Sequence, residues 1–378
     1  MLAQKEIKTT ETKPKYTIKQ IFADHWQLFL IAYACLTIRK AVYINVDKIL
    51  KCQTPALGFT TFFCEKCATV RKVFHTCKSR FCNSCGIKYA KERATAIAAK
   101  CINCRHRHLV FTIPEELRDF FRKDRSLLNL LFDAASQTVL SWFHDLNKSQ
   151  DFKPGIICAL HTFGRDLKWN PHIHALCTEG ALGNTETFRY VRHIDYTALR
   201  KRFQTILLNL LEIKLGKNNF RPLKNKIYAK TKNGFYVRAK PNKSPNIKAA
   251  IQYVVRYTGR PVMAQSRIIN YDGKNVTFYY QRHEDNQRVE ETISAFDFIK
   301  RLIIHISDIE FKMIRYYGIY SKEHKFHGKM IMMFNKHQLK LQKMMNRWQL
   351  SIMSDFHHNP LSCPCCNSRM KLLEHHFP

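Results

Sequence analysis

Two Cys-x2-Cys pairs, Cys64/Cys67 and Cys82/Cys85, lie close together in this chain, with Cys52, His75 and Cys77 beside them. A Cys-x2-Cys turn sets two thiolates on one side of a metal, and two such turns complete a tetrahedron with Zn–S of about 2.3 Å. The spacing predicts a small zinc-binding domain in which Cys64, Cys67, Cys82 and Cys85 hold one Zn2+. Cys52, His75 and Cys77 are substitutes or a second set of ligands. Reduced, buried structural cysteines are the alternative. A redox role fits poorly, because neither pair sits in a βαβ context. Four thiolates leave no open coordination position, so such a zinc is structural. Cys101-x2-Cys104 is a third pair without an evident partner. Cys363-Pro364-Cys365-Cys366 is half a zinc ribbon whose complement would be an upstream thiol, and Cys35, Cys158 and Cys177 read as lone structural cysteines.

The compartment bears on that reading. The N-terminus carries Lys5, Lys8, Lys13 and Lys15 among Thr and Glu and lacks the apolar core of a signal peptide. The longest apolar run, about Leu28 to Leu36, is far short of the ~20 residues of a spanning helix. A cytoplasmic protein without membrane spans is expected, with its 14 cysteines reduced. Lys+Arg number 63 and Asp+Glu 29, a net charge of +34. That excess points to a polyanionic partner. Lys66, Arg71, Lys72, Lys78, Arg80 and Lys88 around the cysteines suit a nucleic-acid backbone, although a plain solvated face would look the same. The 378 residues suggest two or three domains.

Helices are predicted over Thr17 to Leu36 (Thr17 as N-cap), Lys88 to Lys100, Leu127 to Leu146, Tyr196 to Leu215, Ile247 to Thr258 and Phe296 to Ile309. Strands are predicted over His108 to Ile113, Ile156 to Thr162, Ile173 to Thr178 and Phe235 to Arg238. A hairpin turns at Asp272-Gly273 within Arg267 to Arg282. Soft boundaries near residues 105 and 320 divide the chain into a basic tail (1–16), a helical and Cys-rich zinc-binding domain (17–105), a core (106–320) and a basic C-terminal segment with a Cys cluster (321–378).

His172 and His174 flank Ile173 on a predicted strand, where residues i and i+2 share a face. Both imidazoles can therefore reach one metal. Two satisfied histidines on a polar face are the alternative. His161, ending the preceding strand, would complete a three-His site with open positions if the strands pair. Tyr253 and Tyr257 stand i, i+4 on a predicted helix, so their phenols stack one turn apart. A core stripe with Ile251, Val254 and Val255 would give the same spacing. Arg256 and Arg260 beside them would favour a phenolate and a nearby phosphate.

A His-hydrophobe-His strand followed by a Tyr-x3-Tyr helix resembles the HUH endonuclease superfamily in its two-tyrosine form. Order and surroundings resemble the rolling-circle transposases of bacterial insertion sequences. The carrying segments are Thr76 to Cys85, the Val-Phe-Thr-x-Pro strand Val110 to Pro114, Leu160 to Gly164 leading into His172 and His174, Ser266-Arg267-Ile268, and Phe298, Ile299, Arg301 and His305, then Arg315 to Gly318. The resemblance spans about residues 17 to 370. Cys101-x2-Cys104 and the irregular C-terminal cluster depart from it and leave the zinc count open.

The resemblance implies an α+β fold, with an HUH core of antiparallel sheet and flanking helices in an RNA-recognition-like βαβ arrangement, preceded by the zinc-binding domain. It implies a single-strand DNA transposase acting at its element's ends through a 5′-phosphotyrosine on Tyr253 or Tyr257. His172, His174 and His161 would hold Mg2+ or Mn2+. Structural Zn2+ would sit on Cys64, Cys67, Cys82, Cys85, Cys77 and Cys52, and Arg80, Arg256, Arg260 and Arg267 would contact DNA. Localisation would be cytoplasmic and nucleoid-associated, and homo-oligomers are compatible. Rival readings are a plasmid replication initiator or relaxase with the same chemistry, a non-catalytic zinc-dependent DNA-binding protein, and a three-His zinc hydrolase.

Overall fold

The computed structural model describes residues 15–35, 37–185, 187–239, 262–282, 285–324, 333–334, 336–345, 347, 349–350, 352–353 and 359–378. Among these, helices and antiparallel sheets combine in an α+β fold.

The central sheet is built on two long paired strands, β4 (Lys153–Phe163) and β5 (Trp169–Leu182). β3 (His106–Thr112), earlier in the chain, and β11 (Ile314–Gly318), later in it, flank them, and β7 (Tyr236–Ala239) pairs with β3, giving the order β11-β4-β5-β3-β7. The short β6 (Phe188–Tyr190) also pairs with β5. All these pairings are antiparallel.

Period-2 alternation decides what each face carries. Ile156, Cys158 and Leu160 of β4, Ile173, Ala175 and Cys177 of β5, and Leu109 and Phe111 of β3 join one large core. Helices α5 (Leu128–Leu146) and α6 (Tyr196–Leu215) cover that face. The opposite face splits in two. Ile157, Ala159 and Leu176 pack under α3 (Asn83–Lys100) through Ile97 and Ala98, with Ile319 and Tyr320. The remaining end carries histidines.

The N-terminal helices α1 (Ile18–Ala32) and α2 (Lys40–Lys51) do not stand apart. Thr17 caps α1 by accepting the Gln20 N–H at 3.0 Å. Ile21, Phe22, Trp26 and Phe29 share a core with Val276, Phe278, Phe298 and Ile299. These come from the sheet of β8 (Ile268–Tyr271), β9 (Asn275–Gln281) and β10 (Arg288–Ser294) and from α8 (Ala295–Ile303). The β8–β9 turn needs Gly273, whose φ of +88° is left-handed. Arg39 bonds Asp308 and donates to the Ile306 carbonyl at 2.6 Å.

The Cys-rich stretch contains regular strands. It forms the hairpin β1 (Phe59–Phe63) and β2 (Val70–Phe74), and β12 (Lys371–His376) pairs with the other edge of β1. The far end of the C-terminal segment thus adds one strand to the same sheet. After Gly216, α7 (Lys217–Lys230) packs Phe220 and Ile227 onto the main core. No helix among the described residues is long and apolar enough to cross a membrane.

Candidate metal centres and catalytic site

His161 on β4 lies directly opposite His172 on β5, and Ala159 opposite His174. Strand parity therefore brings His161, His172 and His174 onto one face, with one ring nitrogen from each inside a 4.8 Å group. His161 and His174 are buried, and His172 is half-buried. Burial, with repulsion from the neighbouring imidazoles, pushes His161 and His174 well below the usual histidine range. They are neutral at pH 7 and offer lone pairs, the form a metal takes.

The outer nitrogens are held. His172 Nδ1 donates to the Asn170 carbonyl at 2.7 Å, which leaves Nε2 as its lone-pair atom, 3.0 Å from His174 Nε2. His174 Nδ1 meets His108 Nε2 at 2.7 Å, and the two rings stack at 4.9 Å. His108 comes from β3, two residues from Val110, the partner of His174. Such outer partners set the tautomer and orientation of a ligand. The alternation in His106-Arg107-His108 was the available sequence signal for this residue. Three imidazoles form an open donor set suited to a divalent cation, although hard Mg2+ ordinarily takes oxygen ligands.

Tyr253, Tyr257, Arg256 and Arg260 lie outside the described residues. His305 braces the β4–β5 connection, and Arg301 ties α8 to β10. His305 Nε2 donates to the Leu167 carbonyl at 2.9 Å, its Nδ1 meets the Thr162 hydroxyl at 3.1 Å, and burial lowers it to about 4. Arg301 makes a two-pronged bond to Glu291 at 3.0 and 2.6 Å. Arg80 and Arg267 turn toward the protein. Arg80 donates to Ser307 at 2.5 Å, and Arg267 to the carbonyls of Tyr279 and Arg165 at 2.8 and 2.6 Å.

The cysteines form two tetrads, where the spacing predicted one site from both Cys-x2-Cys pairs. Cys52, Cys77, Cys82 and Cys85 converge, with Sγ–Sγ separations of 3.6 Å (Cys52–Cys85 and Cys77–Cys85) and 3.7 Å (Cys52–Cys82). Cys52 follows the last residue of α2, and Cys82 occupies the N-cap position of α3, where the helix favours a thiolate. Cys64 and Cys67 converge instead with Cys363 and Cys366. The split is physical: pairing of β12 with β1 brings the C-terminal knuckle to Cys64, while α2 and α3 carry Cys52, Cys82 and Cys85 elsewhere. His75 belongs to neither tetrad; its Nε2 lies 2.9 Å from the Thr60 hydroxyl. Cys101 and Cys104 are buried in an apolar cluster, outside every metal-ligand group among the described residues. Burial pushes the Cys101 thiol up to about 12.

Residues 155–327 match the family model described as "Putative transposase", and residues 21–113 match "Transposase zinc-binding domain". Over 288 residues the chain is 30% identical to the transposase for insertion sequence element IS801 of Pseudomonas savastanoi pv. phaseolicola, spanning 72% of this chain and 69% of that one. It is 26% identical over 293 residues to "Putative transposase y4qJ" of Sinorhizobium fredii, spanning 72% and 73%. No solved structure matches.

Proposed function

Because this chain belongs to the family of the IS801 insertion-sequence transposase, with a transposase zinc-binding domain at its N-terminal side, we propose that it cleaves and rejoins single-stranded DNA by rolling-circle-type transposition. The observation that carries this reading is the convergence of His161, His172 and His174 on one face of the β4–β5 pair, inside the matched transposase region. Under this reading the central sheet is an HUH core, and Cys52, Cys77, Cys82 and Cys85 hold structural Zn2+.

His161, His172 and His174 would hold Mg2+ or Mn2+; the resemblance to two-tyrosine transposases, more than the donor set, supports these ions. When bound, such an ion supplies polarisation of the scissile phosphate and offsets charge in its transition state. His108 and the Asn170 carbonyl keep the two β5 imidazoles turned inward. The phenol oxygen of Tyr253 or Tyr257 attacks the phosphorus in line and loses its proton. The bond to the 3′ oxygen breaks and that oxygen takes up a proton, which leaves a 5′-phosphotyrosine and a free 3′-OH. Attack by a 3′-OH on that link restores a phosphodiester and frees the tyrosine, so joining needs no ATP. Two tyrosines allow two strand ends to be held at once. The net charge of +34 favours tight, salt-sensitive DNA binding, to which Arg256 and Arg260 would contribute at the site.

The test mixes purified protein with end-labelled single-stranded DNA from its own element's ends, plus Mn2+ or Mg2+. Denaturing gels should show a covalent adduct that is lost in Tyr253→Phe/Tyr257→Phe and in His172→Ala. Cleavage without an adduct would replace this reading with a metal hydrolase. Binding with neither would leave a zinc-dependent DNA-binding protein.

A further inference from the structure

The second thiolate tetrad lies only half inside the matched zinc-binding region, since Cys363 and Cys366 are far beyond residue 113. We propose that Cys64, Cys67, Cys363 and Cys366 hold a second structural Zn2+, which clasps the C-terminal segment onto the N-terminal hairpin.

Three observations carry the proposal. The first is distance. Four sulfurs about 2.3 Å from one Zn2+ sit roughly 3.8 Å from each other. Here Cys64 and Cys366 are 3.5 Å apart, as are Cys67 and Cys363, and all four sulfurs lie within 4.8 Å. A disulfide would need about 2.05 Å.

The second is that both Cys-x2-Cys turns share one backbone form. The Cys64 N–H donates to the Thr69 carbonyl at 2.9 Å, and the Cys363 N–H to the Ser368 carbonyl at 2.8 Å, each five residues on. The residue after the second cysteine is left-handed in both, with φ of 56° at Ala68 and 56° at Asn367. Left-handed backbone is costly for alanine. The conformation recurs where two turns must each aim two thiolates at one point. In each turn the first cysteine, Cys64 or Cys363, is fully buried.

The third is that the surrounding segments are already joined. β12 pairs with β1 from Phe59↔His376 to Phe63↔Lys371. Thr60 Oγ1 lies 2.9 Å from His375 Nδ1, and the Thr61 hydroxyl donates to Glu374 at 2.9 Å. Met370 is buried against Cys64 and Cys363. Cys365, between the two C-terminal ligands, is exposed and is not part of the set.

The proposal rests on the zinc-domain reading and is independent of the nuclease reading. The apoprotein is titrated with Co2+ under reducing conditions, and the thiolate-to-cobalt charge-transfer band is followed. The histidine site has no thiolate and contributes nothing to that band. The full-length chain should saturate at two equivalents, Cys363→Ser/Cys366→Ser at one with half the intensity, and Cys365→Ser at two. Saturation of the full-length chain at one equivalent, or two retained in the double variant, would overturn the clasp. A readout without substitution guards against misfolding: in zinc-loaded protein the fragment carrying Cys363 should resist protease and be released when a chelator is added. Equal release with and without chelator would also overturn it.

Discussion

The imidazole group and the outer thiolate group are both sets of converging ligands, yet the chain assembles them in opposite ways. His161, His172 and His174 come from one pair of adjacent antiparallel strands, and their common face follows from strand parity. Cys64, Cys67, Cys363 and Cys366 come from two turns with most of the chain between them, and meet only because β12 pairs with β1. The first depends on local register. The second depends on long-range closure, whose loop entropy must be offset by the ladder and by bound metal. The histidine face is therefore fixed by one long pair of neighbouring strands, and the outer thiolate group by a strand pairing remote in sequence.

If the two regions are independent, His172→Ala or His174→Ala should lower adduct formation by roughly 10²–10³-fold, the scale of losing one preorganised charge-stabilising group. The Co2+–thiolate signal should stay whole. A parallel fall in that signal would break the comparison. His108→Ala sharpens it further. Loss of an outer partner to a metal ligand should cost about 10–100-fold in divalent-ion affinity or activity. A titration of Mn2+ against adduct yield would show a rightward shift, with the fold unchanged by circular dichroism.

Buried histidines outside both groups give the fold a pH signature. His106 on β3 is buried, donates from Nδ1 to the Cys104 carbonyl at 2.9 Å, and accepts the Tyr320 hydroxyl at Nε2 at 2.6 Å. Burial lowers it to about 4. The folded chain keeps it neutral while the unfolded chain protonates it near pH 6.5. Its contribution is whole above that value and is lost as pH falls toward 4. Between pH 7 and pH 5 that loss is about 2 kcal/mol. His305 adds a similar share. His106→Gln should flatten the fall in urea midpoint by one such share, and an unchanged slope would reject it. The smallest effect belongs to a local brace. Arg301→Ala removes the two-pronged bond to Glu291, partly open to solvent, and should cost about 1 kcal/mol. A thermal melt should show a small drop, with metal loading unchanged.

What could be read from the sequence follows the same division. α6 begins and ends where periodicity placed it, and Thr17 caps α1 as expected. The shared face of His172 and His174 needed only the i, i+2 rule. Partition of the cysteines was not legible, because Cys-x2-Cys spacing shows which sulfurs travel together and not which pairs meet. α7 escaped notice because Pro222 and a run of basic residues mask the stripe of Phe220 and Ile227. β10 escaped because it is an edge strand whose residues are half-exposed or exposed.

Pairing of β12 with β1 has a consequence in time. A ribosome adding roughly 5–20 residues per second needs about 15–60 s to travel from Cys67 to Cys363. Throughout that interval β1 has an open edge, and Cys64 and Cys67 wait with half a ligand set. The sheet closes only once the last strand has left the exit tunnel. A chain cut short between Gly318 and Cys363 would carry the whole histidine face and still lack its fastening.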